Sequence, residues 1–233
     1  MDILTIGKLT IPLLRQYLTL QEQRNVLAEW TTPDINLSDF ELTQLHVIDD
    51  RLSLVAPHLL NEATIWARAI YPLLVLAEAG LVRAWAEVGV SAQYPTFEVN
   101  GIIDGVLGQE VAGRLDIPYL VVVEAKRGIG GEDPVPQLYG QLLSAARLNW
   151  ERHPKSPQIV FGAYTIADTW VFVRAAVSGI EGQLDLNIEM SQEYSQRYEA
   201  AAILKILKYI VSISAGSLDR ADGQLPHLPR EVG

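Results

Sequence analysis

The sequence has no cysteine, no excess of positive charge and no long apolar run, and each absence excludes a class of protein. Without cysteine, the chain can form no disulfide bond, no thiolate-ligated zinc or iron–sulfur site and no thiol nucleophile. With 18 basic and 28 acidic side chains, its formal net charge of −10 argues against a nonspecific coat on nucleic acid or an anionic membrane. The apolar stretches near residues 69–77 and 119–123 are shorter than the roughly 20 residues of a membrane-spanning helix.

The composition is otherwise typical of a globular protein, with 233 residues of which 49% are apolar and 20% charged. This length is enough for one sizeable hydrophobic core or two small ones. Met1–Leu4 has neither the basic nor the apolar segment of a signal peptide, so we expect a cytoplasmic protein with no membrane partner.

Hydrophobic periodicity predicts that the first third of the chain is helical. The expected helices lie over Leu13–Leu20, between Ser38 and Pro57, and from Asn61 to Gly80 with a kink at Pro72. We therefore expect residues 1–60 to form a helical extension that packs on a core of residues 61–217. The polar residues 218–233 are expected to form a loose tail.

Strand and helix patterns alternate in the rest of the chain. The expected strands are Val88–Val99, which Pro95 interrupts, Gly101–Leu107, Tyr119–Lys126, Pro157–Ile166 and Thr169–Val177. The expected helices are Val135–Arg152 and Ser191–Ser214. This order predicts an α/β (α+β) fold, with a mixed central sheet that helices cover on both faces.

Charged residues on two of these strands indicate chemistry, because buried strands rarely carry charge without a reason. The apolar run Leu120–Val123 leads into Glu124-Ala125-Lys126, the only Glu-x-Lys of the chain. Alternation along a strand places Glu124 and Lys126 on one face. Asp104 on the preceding strand could share a hard divalent cation with Glu124, a constellation suited to phosphodiester hydrolysis. The alternative interpretation is a salt bridge at a sheet edge, with Asp104 in a turn.

The order of these motifs resembles the PD-(D/E)xK nuclease superfamily, which has the restriction-endonuclease-like fold. It is most similar to the N-terminal nuclease domain of type I restriction motor subunits. The corresponding segments, within about residues 61–152, are Asn61-Glu62, Pro72-Leu73-Leu74, Gly101–Asp104, Glu124-Ala125-Lys126 and Gln137. The sequence departs from the family pattern at Ile103, where the motif has proline, and at Gln141, where many exonuclease relatives have tyrosine.

The resemblance implies that Asp104 and Glu124 bind Mg²⁺ or Mn²⁺ together with the carbonyl group of Ala125. Glu62 would reach the metal directly or through a water molecule. Glu78, further along the same predicted helix, is the alternative acid, and its other interpretation is a solvated surface position.

The resemblance also implies roles for two residues that do not bind the metal. Lys126 would orient the attacking water and stabilise charge on a phosphorane-like transition state. Gln137 would brace the site or contact a phosphate.

Other polar and aromatic residues have structural interpretations. The four histidines show no ligand spacing, and the five tryptophans are expected to fill the core. Arg147, Arg152 and Lys155 could contact phosphate beside Lys126 and Arg127, or could form a solvated helix face.

Two functions of different classes follow from these observations. The first is a metal-dependent endonuclease that hydrolyses DNA, with RNA as an alternative substrate. The second is a catalytically inactive accessory protein of the same fold that binds nucleic acid or protein. A further hypothesis is a homodimer whose interface is formed by residues 1–60.

Overall fold

The computed structural model describes residues 1–128 and 130–222, with the side chains of the last helix through residue 213. The strands are Asp2–Thr5 (β1), Leu18–Gln23 (β2), Val82–Gln93 (β3), Phe97–Val111 (β4), Arg114–Lys126 (β5), Gln158–Ile166 (β6), Thr169–Ser178 (β7) and Leu184–Ser195 (β8). The α-helices are Ile11–Leu14 (α1), Asp39–Ser53 (α2), Glu62–Ile65 (α3), Tyr71–Leu76 (α4), Val135–Arg152 (α5) and Gln196–Asp222 (α6). A π-helical turn over Trp66–Ile70 joins α3 to α4.

The eight strands form one mixed sheet in the order β1-β4-β5-β6-β7-β8-β2, and β3 pairs with β4 outside this path. The pairs β1–β4, β5–β6 and β8–β2 are parallel, and the others are antiparallel. The long strand β4 pairs with β1 through Phe97–Asn100 and with β5 through Gly105–Val111. Strands β4 and β5 therefore separate near residue 104, where the candidate acids lie.

Apolar side chains pack on both faces of the sheet. Helix α5 covers one face, where Leu138 and Leu142 lie in the same buried cluster as Val122. Helices α3, α4 and α6 cover the other face, where Val121 and Val123 are buried. Strand β5 is thus buried on both sides, which explains its continuous apolar run. The predicted α/β class, with helices on both faces of a mixed sheet, is confirmed.

Several expected elements are present with the bounds that the sequence indicates. Helix α5 spans Val135–Arg152 as predicted. The predicted caps are also present, since the Ser38 hydroxyl accepts a hydrogen bond from the Glu41 amide (3.3 Å) and Asn61 Oδ1 accepts one from the Thr64 amide (2.9 Å). The kink expected at Pro72 is the π-helical turn directly before it.

The expectation that residues 1–60 form a helical extension is wrong, because two segments of this region are strands of the central sheet. Strand β1 pairs with β4, and β2 pairs with β8. The helix expected over Leu13–Leu20 is only the single turn α1. In β2, Leu18 is buried while Thr19, Gln21 and Gln23 are exposed, which is a period of two. A short apolar run fits both the helical and the strand period, so the sequence alone did not distinguish them.

Other boundaries also differ from the expectation. Val88–Val99 is not one strand, because the turn that contains Pro95 separates β3 from β4. The helix expected from Ser191 begins at Gln196, since residues 191–195 complete β8. Residues 218–222 continue α6 instead of a loose tail, and the rest of the expected tail lies outside the described residues. None of the described helices is both long and apolar enough to cross a membrane.

Candidate active site

The candidate site lies where β4 and β5 separate. The last paired residues of the two strands on this side are Gly105 and Val123. Beyond them, Asp104 Oδ2 accepts a hydrogen bond of 2.8 Å from the amide of Ala125. The carboxylate of Asp104 thus replaces a strand-to-strand hydrogen bond and lies against the backbone between Glu124 and Lys126. On its other edge, β5 still pairs with β6 as far as Lys126.

Glu124 is buried between two polar partners, and only 2% of it is exposed. The ammonium group of Lys126 forms an ion pair with Glu124 Oε1 at 2.7 Å. The side-chain amide of Gln141, fully buried on α5, donates a hydrogen bond to Glu124 Oε2. The side chain of Lys126 is 13% exposed, so Glu124 is held in the interior while Lys126 reaches the solvent edge.

Both carboxyl groups of the site have raised pKa values, and burial is the largest cause for each. Burial, followed by the negative charge of Asp104, raises the pKa of Glu124 to about 7, against the opposite effects of Lys126 and Gln141. Burial also raises the pKa of Asp104, against the hydrogen bond from the Ala125 amide and the charge of Lys126. Two acids that resist ionisation at one place indicate a site that favours an added positive charge.

Lys126 keeps its proton. Burial alone would lower the pKa of this amine, but the contact with Glu124 and the charges of Glu62 and Asp104 raise it overall. A lysine with a raised pKa is a poor general base at neutral pH, so its chemistry is electrostatic.

Two cavities meet at Glu62, which is exposed in the first turn of α3. The acidic cavity, of about 350 Å³, is lined by Glu62, Ala63, Trp66, Glu87, Asp104 and Ala125. The lysine cavity, of about 590 Å³, is lined by Asn61, Glu62, Ala63, Lys126, Arg127, Gly130, Gly131 and Glu132. Because Glu62 lines both cavities, it stands between Asp104 and Lys126, and its charge raises the pKa of each.

Two residues of the acidic cavity were not predicted. Glu87 lies opposite Asp104 on β3, between the pairs Ala86–Gly105 and Val88–Ile103, and its φ of 52° is in the left-handed region. Nothing in the sequence signals this conformation, because residues other than glycine rarely adopt it. Its negative charge adds to those that raise the pKa of Asp104.

Trp66, expected in the core, is half-buried and lines the acidic cavity. Its ring lies against Gly105, where an added Cβ would be 2.3 Å from Trp66 Cη2. Only glycine at this position allows the indole so close to β4. The helical spacing could have indicated this placement, because Trp66 follows Glu62 by four residues and shares its helix face.

Helix α5 presents Gln141 to Glu124, and Gln137 lies elsewhere. Gln137 is half-buried and lines a separate cavity with residues of the segment 7–12. No hydrogen bond joins it to the acids of the site within the part of the chain that the structure describes. The brace that the resemblance implied for Gln137 is therefore provided by Gln141, one helical turn later.

The remaining candidates have structural partners away from the site. Glu78 accepts a hydrogen bond of 2.9 Å from the Ala84 amide, which fixes the start of β3. Arg147 forms ion pairs with Glu151 and Glu181. Arg152 forms an ion pair of 2.8 Å with Asp116. The structure therefore favours ion-paired structural roles for both arginines, of which Arg152 is exposed and Arg147 is half-buried over the Trp150 ring. Lys155 is exposed beyond the C-terminal end of α5, away from Lys126, so it does not join the site either.

The donor atoms of the site fit a hard divalent cation that binds together with a substrate. No group of three or more histidine or carboxylate side chains converges on one point among the described residues. Mg²⁺, however, is usually bound by one or two carboxylates, several waters and substrate phosphates, and seldom by an all-protein cage. Asp104 and Glu124 supply two carboxylates. Asp104 and Ala125 line the acidic cavity, and Glu124, the residue between Ala125 and the buried strand, lies in the interior behind it.

Comparison with known proteins does not identify a family for the chain. No protein-family model matches the chain, and no curated protein matches it. The case for a function therefore rests on the geometry of this site and on the order of its motifs.

Proposed function

We propose that the protein is a metal-dependent nuclease of the restriction-endonuclease-like fold that hydrolyses phosphodiester bonds of DNA. The observation that carries the proposal is the Asp104 carboxylate against the Ala125 backbone, between Glu124 and Lys126, at the point where two strands separate. The raised pKa values of both acids support it, because a bound cation would relieve their repulsion.

Four residues of the site have a role in this proposal. A divalent cation between Asp104 and Glu124 would polarise the phosphate and lower the pKa of a bound water. Lys126, protonated and at the solvent edge, stabilises the negative charge that develops on the phosphate oxygens. Gln141 holds the carboxylate of Glu124 in one orientation from the interior.

A second candidate function is that of an inactive accessory protein that binds nucleic acid. This function is favoured because protein donors already occupy both carboxylates. The Ala125 amide donates to Asp104, and the side chains of Lys126 and Gln141 contact Glu124. A net charge of −10 also weakens unassisted binding to DNA.

Cleavage of supercoiled plasmid DNA tests the proposal. We expect nicking that requires Mg²⁺ or Mn²⁺ and stops when a chelator is added. The nicking rate should fall by at least about 100-fold in Asp104→Asn, because this substitution removes one charged ligand. Glu78→Gln is the matched control, because its amide oxygen can still accept the hydrogen bond from Ala84. It should nick at the wild-type rate.

Two results would contradict the nuclease proposal. The first is nicking that survives the chelator or is equal in Asp104→Asn. The second is a wild-type protein that binds DNA and does not nick it with either metal, which is the result the accessory function predicts.

A further inference from the structure

We propose that a cavity next to the candidate active site, the arginine cavity, binds phosphate groups of the nucleic-acid strand. The cavity has a volume of about 390 Å³ and is lined by Arg51, Leu54, Val55 and Arg68. The inference rests on the proposed function for the class of its ligand, and it assigns to that ligand a binding site away from the cleavage chemistry.

No ion pair among the described residues neutralises the charges of this cavity. Arg51 and Arg68 are both exposed, and neither takes part in an ion pair among the described residues. None of the residues three or four positions away from either arginine in the sequence is acidic. Two guanidinium groups on one cavity repel each other, and an anion between them removes that repulsion. In a chain with 28 acidic side chains, this arrangement favours an anionic ligand.

A third guanidinium group contacts Val55, one of the residues that line the cavity. Arg197 donates hydrogen bonds to the carbonyl groups of Leu52 (3.0 Å) and Val55 (3.2 Å), at the C-terminal end of α2. The carbonyl end of a helix repels anions, so this contact removes an obstacle to phosphate at that place. Like the other two arginines, Arg197 forms no ion pair with the described carboxylates.

The surroundings of the cavity favour nucleic acid as the ligand. Arginine binds phosphate through a planar, bidentate fork. Leu54 is 84% exposed and Tyr198, next to Arg197, is 83% exposed, so apolar and aromatic surfaces are available for bases beside the phosphate ligands.

The position of the cavity suits a strand that crosses the candidate active site. Glu62 and Arg68 belong to one continuous helical segment, six residues and therefore about 9 Å apart along the helix axis, with their side chains about 120° apart around it. A nucleic-acid strand advances about 3.4 Å per nucleotide along a duplex, so about three nucleotides span this separation. The arginine cavity would then hold phosphates a few positions from the one that is cleaved.

Binding of a fluorescein-labelled 20-base-pair DNA duplex, measured by anisotropy in EDTA, tests this inference without any cleavage. We expect Arg51→Glu/Arg68→Glu to bind at least about tenfold more weakly than the wild type, and its salt-dependence slope to fall by about 1.8, for two lost phosphate contacts. Arg51→Lys/Arg68→Lys should retain the slope, because it retains both charges.

The matched control is Arg114→Glu/Lys155→Glu, which makes the same change in net charge. Arg114 begins β5 and Lys155 follows α5, so both lie at the end of the sheet away from Lys126, and both are exposed. We expect this control to lose no more than about threefold in affinity, through the general electrostatic field alone. Equal melting temperatures of the variants by circular dichroism establish that the substitutions leave the fold intact.

The outcomes separate this inference from the proposed nuclease function. Equal losses in the two glutamate double variants, or no binding of DNA by the wild type at low salt, would overturn the arginine cavity as a phosphate site. Binding that depends on Arg51 and Arg68 in a protein that never nicks DNA would overturn the nuclease function and support the cavity. Metal-dependent nicking together with unchanged DNA binding in Arg51→Glu/Arg68→Glu would support the nuclease function and overturn the arginine cavity as a phosphate site.

Discussion

Glutamine in place of Glu124 should abolish metal-dependent nicking. It should also make the protein's stability less dependent on pH, because the wild type becomes less stable as the pH rises from 5 to 8 and the variant does not share this decrease. The activity should fall by about 10²–10³-fold or more, because the buried carboxylate is a proposed metal ligand with no substitute at its position. The amide retains the size of the side chain and an oxygen that can accept the hydrogen bond from Gln141.

The effect on stability follows from the pKa of Glu124, which burial and the Asp104 charge raise from 4.5 to about 7. Between these two values the folded protein binds more protons than the unfolded chain, so the stability of the wild type falls as the pH rises through this window. Glutamine does not titrate. The unfolding free energy of the variant relative to that of the wild type should therefore rise by about 1–3 kcal/mol from pH 5 to pH 8.

Urea denaturation at the two pH values measures this difference. The control is again Glu78→Gln, whose stability relative to the wild type should change little between the two conditions. Parallel pH dependences of wild type and Glu124→Gln would show that Glu124 is not a buried acid with a raised pKa.

Methionine in place of Lys126 should destabilise the protein by about 3 kcal/mol at pH 8, because it leaves the charge of Glu124 buried without its counter-ion. The loss should be smaller at pH 5, where Glu124 can take up a proton. Nicking should fall by about 100-fold or more, since the charge that stabilises the transition state is gone.

The double variant Glu124→Gln/Lys126→Met separates these effects. Removal of both charges should recover most of the stability that the single lysine variant loses, while activity stays absent. A Lys126→Met protein as stable as the wild type at pH 8, or a double variant no more stable than Lys126→Met, would contradict the pairing on which this prediction depends.

The parts of the fold and of the site that could be predicted depend on local signals. Ser38 and Asn61 are cap residues whose hydrogen bonds reach only three residues ahead, so their side-chain chemistry identifies the helix starts. The apolar run of β5 indicates burial on both faces, and the alternation of its side chains puts Glu124 and Lys126 on one face, where they form an ion pair.

The parts that could not be predicted depend on contacts distant in sequence or on rare backbone conformations. Strands β1 and β2 are defined by pairing with β4 and β8, far along the chain, and not by their own short patterns. The rotation of α5 about its axis, set by packing on the sheet, decides that Gln141 and not Gln137 meets Glu124. Glu87 reaches the acidic cavity through a left-handed backbone conformation that no sequence pattern indicates.

Calorimetric titration of Mn²⁺ at pH 8 tests the central claim most directly, namely that Asp104 and Glu124 hold a divalent cation. We expect the wild type to bind Mn²⁺ and Asp104→Asn to bind it at least about tenfold more weakly, because a charged oxygen ligand is lost. Glu78→Gln should bind Mn²⁺ as the wild type does. No heat of binding in the wild type, or the same affinity in Asp104→Asn, would contradict the claim.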